Sequence, residues 1–351
     1  MVLAEQPGIT DLLIPTPDTG KHWDPHRIHT HYFGFSVPDA QIGAFLYIRY
    51  QPEFRSSHGG VCIFQGHNNV SPTDIEHIDY QIAMPWPAVD GNAIITTNGL
   101  RVEFLDPGRS IRLTYTSEDG KTSFDVLQEA VTPLIARGHI MPGEELHHDG
   151  LNQQAGGSEQ FMHATGALKL NGTTYVIDCY APRDRSWNQV REEKYVSTPP
   201  LGWTPMYFGS DLSLSQICFE PLDTGPDWAG LYDVGDRPSH HFGWIQRGEE
   251  TRSITAVRRT VLDTHPRNYI PLRQEVDLCD EQGEHYHFRG EAIASAPLAA
   301  WPNSLFHDSV YRWTDSKTGR ITHATFQGVW MADYQRAMKH RFPAAHATQL
   351  T

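Results

Sequence analysis

The sequence predicts an all-β protein made of two consecutive small β-barrels or sandwiches. Short segments rich in Val, Ile, Tyr, Phe and Thr recur between Gly, Pro, Asn and Asp, whereas helical periodicity is scarce. The chain has 351 residues, which is more than one compact core usually holds. Two successive series of short strands, each about as long as one small barrel, therefore favour tandem barrels over one large closed sheet.

The first strand series fills the N-terminal half. Turn signals at Thr97-Asn98-Gly99 and Glu118-Asp119-Gly120 supply residues that tolerate positive φ between neighbouring strands. Asn171-Gly172 joins segments 161–170 and 173–180 in the most strongly predicted hairpin of the chain. The strands predicted before it are 32–36, 43–51, 60–65, 80–84, 93–97, 101–105, 110–116 and 123–130.

A Pro- and Gly-rich connector at 198–202 predicts the boundary between two domains, residues 1–197 and 198–351. Residues 332–340 have the only helical pattern, and predict either a short helix that caps a barrel end or a frayed terminus. The second series of predicted strands is 205–208, 212–220, 241–246, 252–262, 269–277, 285–295, 309–314 and 321–330.

Charge and motif content exclude several classes of partner. The chain carries 28 basic and 42 acidic residues, a formal net charge of -14, which argues against nucleic acid. No Walker loop, dinucleotide Gly-x-Gly-x-x-Gly or Gly-x-Ser-x-Gly elbow is present, so no cofactor is predicted. The N-terminal segment lacks a basic region followed by an apolar run, and no window reaches the length of a membrane span. We therefore expect a cytoplasmic protein without a membrane span; a homodimer is left open.

Several motifs in order along the chain carry a family resemblance. They are Tyr32-Phe33-Gly34-Phe35, His77-Ile78-Asp79-Tyr80, Pro85-Trp86-Pro87, Phe161-Met162-His163-Ala164-Thr165-Gly166, Arg183-Asp184-Arg185-Ser186-Trp187 and His241-Phe242-Gly243-Trp244. This order resembles the AttH-like and carotenoid 1,2-hydratase-like (hydroxyneurosporene synthase) superfamily, in which Arg-Asp-x-Ser-Trp is the specific element. The resemblance implies two tandem lipocalin-like (calycin-type) antiparallel barrels. It also implies hydration or related double-bond chemistry on hydrophobic small molecules such as isoprenoids, with Asp79 or Asp184 as the acid that protonates an alkene.

His77 and Asp79 are the first candidate catalytic pair. In an extended segment they lie on one face and bring a titratable base beside a carboxylate. Burial would raise the pKa of Asp79 and make it a proton donor at neutral pH. Tyr80 and Trp86 are expected to shape an apolar pocket beside them. His163, in a later strand, is either a substrate contact or a satisfied core histidine.

Asp184 is the third candidate catalytic residue. Ion pairing with Arg183 or Arg185 would depress its pKa, which suits it to stabilise a cation or orient a base, and a structural clamp is the alternative. In a strand the two arginines face one side and Asp184 the other. Trp187 is expected either to hold a developing carbocation over its ring or to plug a barrel end.

The leading interpretation is a cofactor-independent lyase, hydratase or isomerase that transfers a proton on a terpenoid, aromatic or polyketide-like molecule. A non-catalytic carrier of an apolar ligand is the first alternative. A metalloenzyme is the second, because His285-Tyr286-His287 and Glu291 imitate a cupin metal motif. Since the other half of that motif is missing, no metal ligand is predicted.

Overall fold

The structure is a computed structural model that describes residues 22–137, 156–191, 199–221, 240–298, 300 and 304–341. These residues form two compact units. The first contains the described residues of 22–64 and 75–191, and the second contains 65–74 together with those from 199 onward. The ten residues 65–74 therefore belong to the second unit although they lie between two strands of the first. The division at residues 197 and 198 stays a prediction.

The first unit is a curled half-barrel formed by one twelve-stranded sheet. Eleven strands follow the order β4-β3-β2-β1-β12-β11-β9-β8-β7-β6-β5, and β10 pairs with β11 outside this order. Its strands are β1 Arg27–Val37, β2 Ile42–Gln51, β3 Ser56–Gln65, β4 His77–Pro85, β5 Ala88–Asp90, β6 Ala93–Ile95, β7 Arg101–Asp106, β8 Ser110–Thr116, β9 Ser123–Ala130, β10 Ile135–Arg137, β11 Gly156–Leu170 and β12 Thr173–Val190.

Alternation along the strands gives this sheet an apolar inner face. In β8, Ile111, Leu113 and Tyr115 are buried while Arg112 and Thr116 are exposed, which is the period of two expected of a strand with one face in the core. Inward residues of β1–β3, β6, β7, β9, β11 and β12 complete one continuous apolar cluster. We call this surface the inner face, and the opposite one the outer face.

The second unit is a closed barrel of eight strands. β13 pairs with both β21 and β15, which joins the two ends of the sheet and leaves no edge between them. β14 is bonded to β15 outside this ring. The strands are β13 Leu201–Trp203, β14 Met206–Gly209, β15 Leu212–Phe219, β16 His240–Arg247, β17 Glu250–Thr264, β18 Pro271–Asp280, β19 His285–Leu298, β20 Ser304–Asp315 and β21 Ile321–Met331.

Both units confirm the predicted fold class, all-β with tandem lipocalin-like barrels. A helix, α1 Ala332–Arg341, follows the last strand, and its buried residues Tyr334, Ala337 and Met338 pack with Trp330. Within the described residues no helix is long and apolar enough to cross a membrane.

The Asn171-Gly172 hairpin forms as predicted, with φ values of 49° and 88° at its two turn residues. Its strands are longer than expected, since β12 continues to Val190. The Arg183-to-Trp187 segment is therefore part of a central strand and alternates between the two faces of the sheet.

Candidate functional site

His77 and Asp79 face the inner side of the half-barrel. Both lie on β4, where Asp79 pairs with Val61 and His77 with Ile63 of the neighbouring strand β3. Directly paired residues of antiparallel strands project to the same face, and Val61 and Ile63 belong to the apolar core. The sequence argument that placed the imidazole and the carboxylate on one face thus agrees with the register.

Tyr115 joins these two side chains. Its hydroxyl donates to Asp79 Oδ2 at 2.8 Å and lies 2.9 Å from His77 Nε2. Tyr115 is 3 % exposed and sits on β8, across the curl of the sheet from β4. The result is a continuous hydrogen-bonded chain of imidazole, phenol and carboxylate, which we call the His77–Tyr115–Asp79 chain.

Asp79 is held through both its backbone and its carboxylate. Asn98 Nδ2 donates to the Asp79 carbonyl oxygen at 2.7 Å, and Gln81 Nε2 donates to Asp79 Oδ1 at 3.2 Å. On β3, Gly60 has a φ of +134°, and a Cβ there would lie 2.0 Å from the same carbonyl oxygen. The close approach of β3 and β4 at this point therefore requires glycine.

Burial sets the protonation of the chain. It lowers the pKa of His77, although the negative charges of Asp79 and Asp119 oppose that effect. Burial and the hydrogen bond to Asp79 raise the pKa of Tyr115. Both groups are thus neutral near pH 7. With the phenol donating to Asp79, its oxygen accepts from His77 Nε2–H, which leaves the lone pair on Nδ1.

Apolar rings continue from this chain along the inner face. The Tyr115 ring is stacked with Phe124, with centroids 5.6 Å apart, and Phe124 contacts Phe35 edge-on at 5.3 Å. Farther along the inner face, Trp86 lies 5.4 Å from the Tyr50 ring. Titratable groups at the border of an apolar surface are the arrangement expected of a site for a hydrophobic molecule.

One family model matches residues 17–327, under the description "Domain of unknown function (DUF7064)". The chain belongs to the DUF7064 family. Among solved structures, a candidate AttH protein from Nitrosomonas europaea superposes over 90% of this chain and 98% of its own, with a TM-score of 0.54 and 12% identity. The superposition with kievitone hydratase from Nectria haematococca covers 94% of this chain and 97% of the hydratase, with a TM-score of 0.44 and 13% identity. A search of curated proteins found no match.

The first of these similarities shows a shared fold, and the double-lipocalin architecture implied by the AttH-like resemblance is thereby confirmed at the level of the fold. Its low identity carries no residue roles to this DUF7064 member. Membership of the hydroxyneurosporene synthase branch stays a prediction.

The remaining predicted site residues of this DUF7064 chain are divided between the two faces. Arg183 is on the inner face, where Nε and Nη2 donate to Gln160 Oε1 at 2.8 and 2.6 Å. Gln160 Nε2 in turn donates to the carbonyl oxygens of Gly108 and Thr132. Arg183 therefore has a structural role here. Trp187 is also on the inner face, with the Arg185 guanidinium 5.7 Å from its ring centroid.

Asp184 and Tyr80 lie on the outer face. Asp184 pairs with Tyr32, and Tyr80 packs 6.3 Å from the Phe45 ring and 6.2 Å from that of His58. Asp184 and Asp79 were both predicted as catalytic residues. The register places Asp184 on the outer face and Asp79 on the inner face, so the structure does not bring them together.

His163 is also on the outer face. Its Nε2 lies 2.7 Å from Asp178 Oδ1, and the two side chains are 34% and 75% exposed. It does not contact the His77–Tyr115–Asp79 chain, and it is a half-buried histidine rather than a core one. An open depression of about 600 Å³ is lined by outer-face residues such as Arg101 and Lys169 and also by Tyr115 and Phe124, and it contains none of the residues predicted from the sequence.

The histidine of the cupin-like motif that the structure pairs, His287, contacts carboxylates of the neighbouring strand β18. His287 Nδ1 lies 2.7 Å from Asp277 and its Nε2 lies 3.7 Å from Glu275. Among the described residues no group of three or more His, Cys, Asp or Glu side chains is arranged to hold a metal ion.

Tyr115 is the residue of the candidate site that the sequence did not indicate. Its strand was predicted, and the alternation of that strand points it inward. Nothing in the local pattern says that β8 curls across to β4, so the contact becomes visible only in three dimensions.

Proposed function

We propose that this protein is an enzyme of the hydratase, lyase or isomerase class that transfers a proton to or from a hydrophobic small molecule. The observation that carries the proposal is the Tyr115 hydroxyl, which lies within hydrogen-bond distance of both His77 and Asp79. A buried phenol that links an imidazole to a carboxylate provides a path for a proton.

The proposed step is a relay with each atom accounted for. His77 Nδ1 accepts a proton from the substrate while its Nε2 proton moves to the Tyr115 oxygen. The Tyr115 hydroxyl proton moves at the same time to Asp79 Oδ2. Imidazole and phenol end neutral, and the carboxylate becomes a carboxylic acid. The reverse sequence delivers a proton, as addition of water to an alkene requires.

The residues around the relay support this class of chemistry. The lowered pKa of His77 keeps the imidazole available as a base near neutral pH, and the raised pKa of Tyr115 keeps its proton in place until the relay moves. Proton transfer needs no electron carrier, so the proposal is for a reaction without net oxidation. The apolar inner face supports a hydrophobic substrate.

Deuterium incorporation tests the proposal without knowledge of the natural product. The protein is incubated in D2O with farnesol and with farnesoic acid, and deuterium at carbon is followed by mass spectrometry. We expect incorporation with the natural sequence, and a loss of about 10²- to 10⁴-fold in Tyr115→Phe and Asp79→Asn. Asp178→Asn is the matched control, since it removes a carboxylate paired with an outer-face histidine at 2.7 Å.

Full exchange in Tyr115→Phe would contradict the relay. Binding of both compounds without any incorporation would instead favour the carrier alternative, which the continuous apolar inner face also suits.

A further inference from the structure

A cluster of buried hydrogen-bond donors occupies another part of the inner face. We call Arg27, His29, His31 and Arg185 the donor cluster. His31 pairs directly with Arg185 between β1 and β12. His29 and His31 are 7% and 2% exposed, and Arg27 and Arg185 are 3% and 5% exposed. Buried polar nitrogens are normally hydrogen-bonded, so the hydrogen-bond partners of the two imidazole rings decide what the cluster can bind.

His29 is a donor in this cluster. Its Nδ1 accepts the backbone N–H of Asn188 at 3.2 Å, so the ring proton is on Nε2. Nε2 is buried and has no hydrogen-bond partner among the described residues. Burial, with the charges of Arg185 and Arg27, lowers the pKa of His29 to about 3, which keeps the ring in this neutral form.

His31 has the same surroundings. Its Nδ1 lies 3.1 Å from Tyr50 Oη, and its Nε2 is buried without a hydrogen-bond partner in the described part of the chain. Burial and the charges of Arg185 and Arg183 lower its pKa. Two imidazole nitrogens without partners therefore lie in a region of positive charge. An unsatisfied buried donor is destabilising, and an acceptor oxygen on a ligand would remove that penalty.

Aromatic rings flank the donor cluster. The Trp187 ring lies beneath the Arg185 guanidinium at 5.7 Å, and Trp86 packs on Tyr50 at 5.4 Å. A charged group beside such rings suits a molecule with a polar head and an apolar body. Phe33 stacks on His31 at 6.0 Å, and Phe35 follows on the same strand face, so the apolar surface begins at the cluster.

We propose that the donor cluster binds the carboxylate of a hydrophobic carboxylic acid. This proposal adds a substrate class to the proposed function. Binding of the carboxylate does not depend on that function, whereas a reaction at the other end of the ligand does. His31 and Phe35 are four residues apart on β1, or roughly 13 Å. Phe35 leads through Phe124 to Tyr115. A ligand body of at least about this length would extend from the carboxylate toward the His77–Tyr115–Asp79 chain.

The test compares cis-parinaric acid with its methyl ester, which keeps the same polyene body and removes the charge. Titration is followed by polyene fluorescence. We expect the acid to bind at least tenfold more tightly than the ester. Equal affinities, or binding of neither compound, overturn the proposal, and this comparison needs no variant.

Two variants locate the effect. His29→Leu removes the Nε2 donor and should abolish the preference for the acid, whereas His340→Leu, at an exposed position on α1, should keep it. His31→Leu repeats the test should His29→Leu fail to fold. A preference that survives in the folded variants contradicts the assignment to this cluster. Tyr115→Phe should keep the preference while losing deuterium exchange, so failure of the relay and failure of carboxylate binding are distinguishable.

Discussion

Neighbouring charges act on the inner-face histidines in opposite directions. Burial lowers the pKa of both His77 and His29. The negative charge of Asp79 partly restores the pKa of His77, whereas the positive charges of Arg185 and Arg27 lower the pKa of His29 further. His77 is therefore the histidine of this pair that can take up a proton near neutral pH, as a base in a relay must.

The coupling between Asp79 and His77 is directly measurable. In Asp79→Asn we expect the pKa of His77 to fall below its value in the natural sequence, because the charge that raises it is lost. Titration of the His77 ring resonances by NMR checks this. Asp178→Asn should leave the His77 resonances unchanged, and an unaltered or raised pKa in Asp79→Asn would contradict the geometry of the chain.

Sequence patterns located part of the candidate site at this scale. The spacing of His77 and Asp79 sufficed to place both on one face, because strand period depends only on local geometry. The same period separates Asp184 from Arg183 and Arg185, as the structure shows. The partnership with Tyr115 depends on the curvature of the whole sheet, and the burial of His29 and His31 depends on packing with β12. Neither can be obtained from local spacing.

Among the elements, the pairing of β3 with β4 determines how the relay is held. Gly59 and Gly60 both have φ of +134°, a conformation that residues with a Cβ rarely adopt. They let β3 pass close to its neighbours, and Asn98 bonds the same Asp79 carbonyl that faces Gly60. Contacts to the Asp79 backbone therefore help to fix its position, in addition to the hydrogen bonds of its carboxylate.

Gly60→Ala should disturb this arrangement. The added Cβ would meet the Asp79 carbonyl oxygen and Asn98 Nδ2, so we expect a loss of about 2–4 kcal/mol in unfolding free energy together with reduced deuterium exchange. Gly120→Ala is the control, because its φ of +67° is strained but nothing lies within 4 Å. Urea unfolding compares the two, and equal losses would show that steric contact at Asp79 is unimportant.

The elements themselves were largely predictable. Asn171 and Gly172 both tolerate the positive φ that a tight turn requires, so the hairpin could be located from the local sequence alone. The extension of β12 to Val190 was missed because its polar residues, Arg183 to Gln189, are buried by partners on other strands. The closure of the barrel through β13, only three residues long, is likewise a non-local property.

At the scale of the whole molecule, buried histidines make the fold sensitive to acid. The pKa of His29 and that of His58 are each lowered to about 3, mainly by burial, and those of His31 and His307 are lowered as well. An unfolded chain binds these protons at about pH 6.5. The free energy of unfolding is therefore at its full value above pH 6.5 and decreases as pH falls from there toward 3.

For a histidine with this shift, the expected loss between pH 7.5 and pH 5 is roughly 2 kcal/mol. Urea unfolding at the two pH values measures the total. His58→Gln removes one titrating group and should reduce the decrease by about that amount, whereas His340→Leu, at an exposed site, should not. An unchanged decrease in His58→Gln would show that His58 is protonated in the folded protein.

The ten residues 65–74 leave the half-barrel after β3 and are packed in the other unit before the chain returns at β4. There Asn69 donates to the Ser295 carbonyl and accepts from Asn268, and the Gly66 carbonyl accepts from Ser295. A gene fusion with one breakpoint near residue 192 would transfer the barrel without residues 65–74, so these contacts would be lost. Recombination could exchange either unit intact only by cutting the gene at three places, so the two halves are expected to be inherited together.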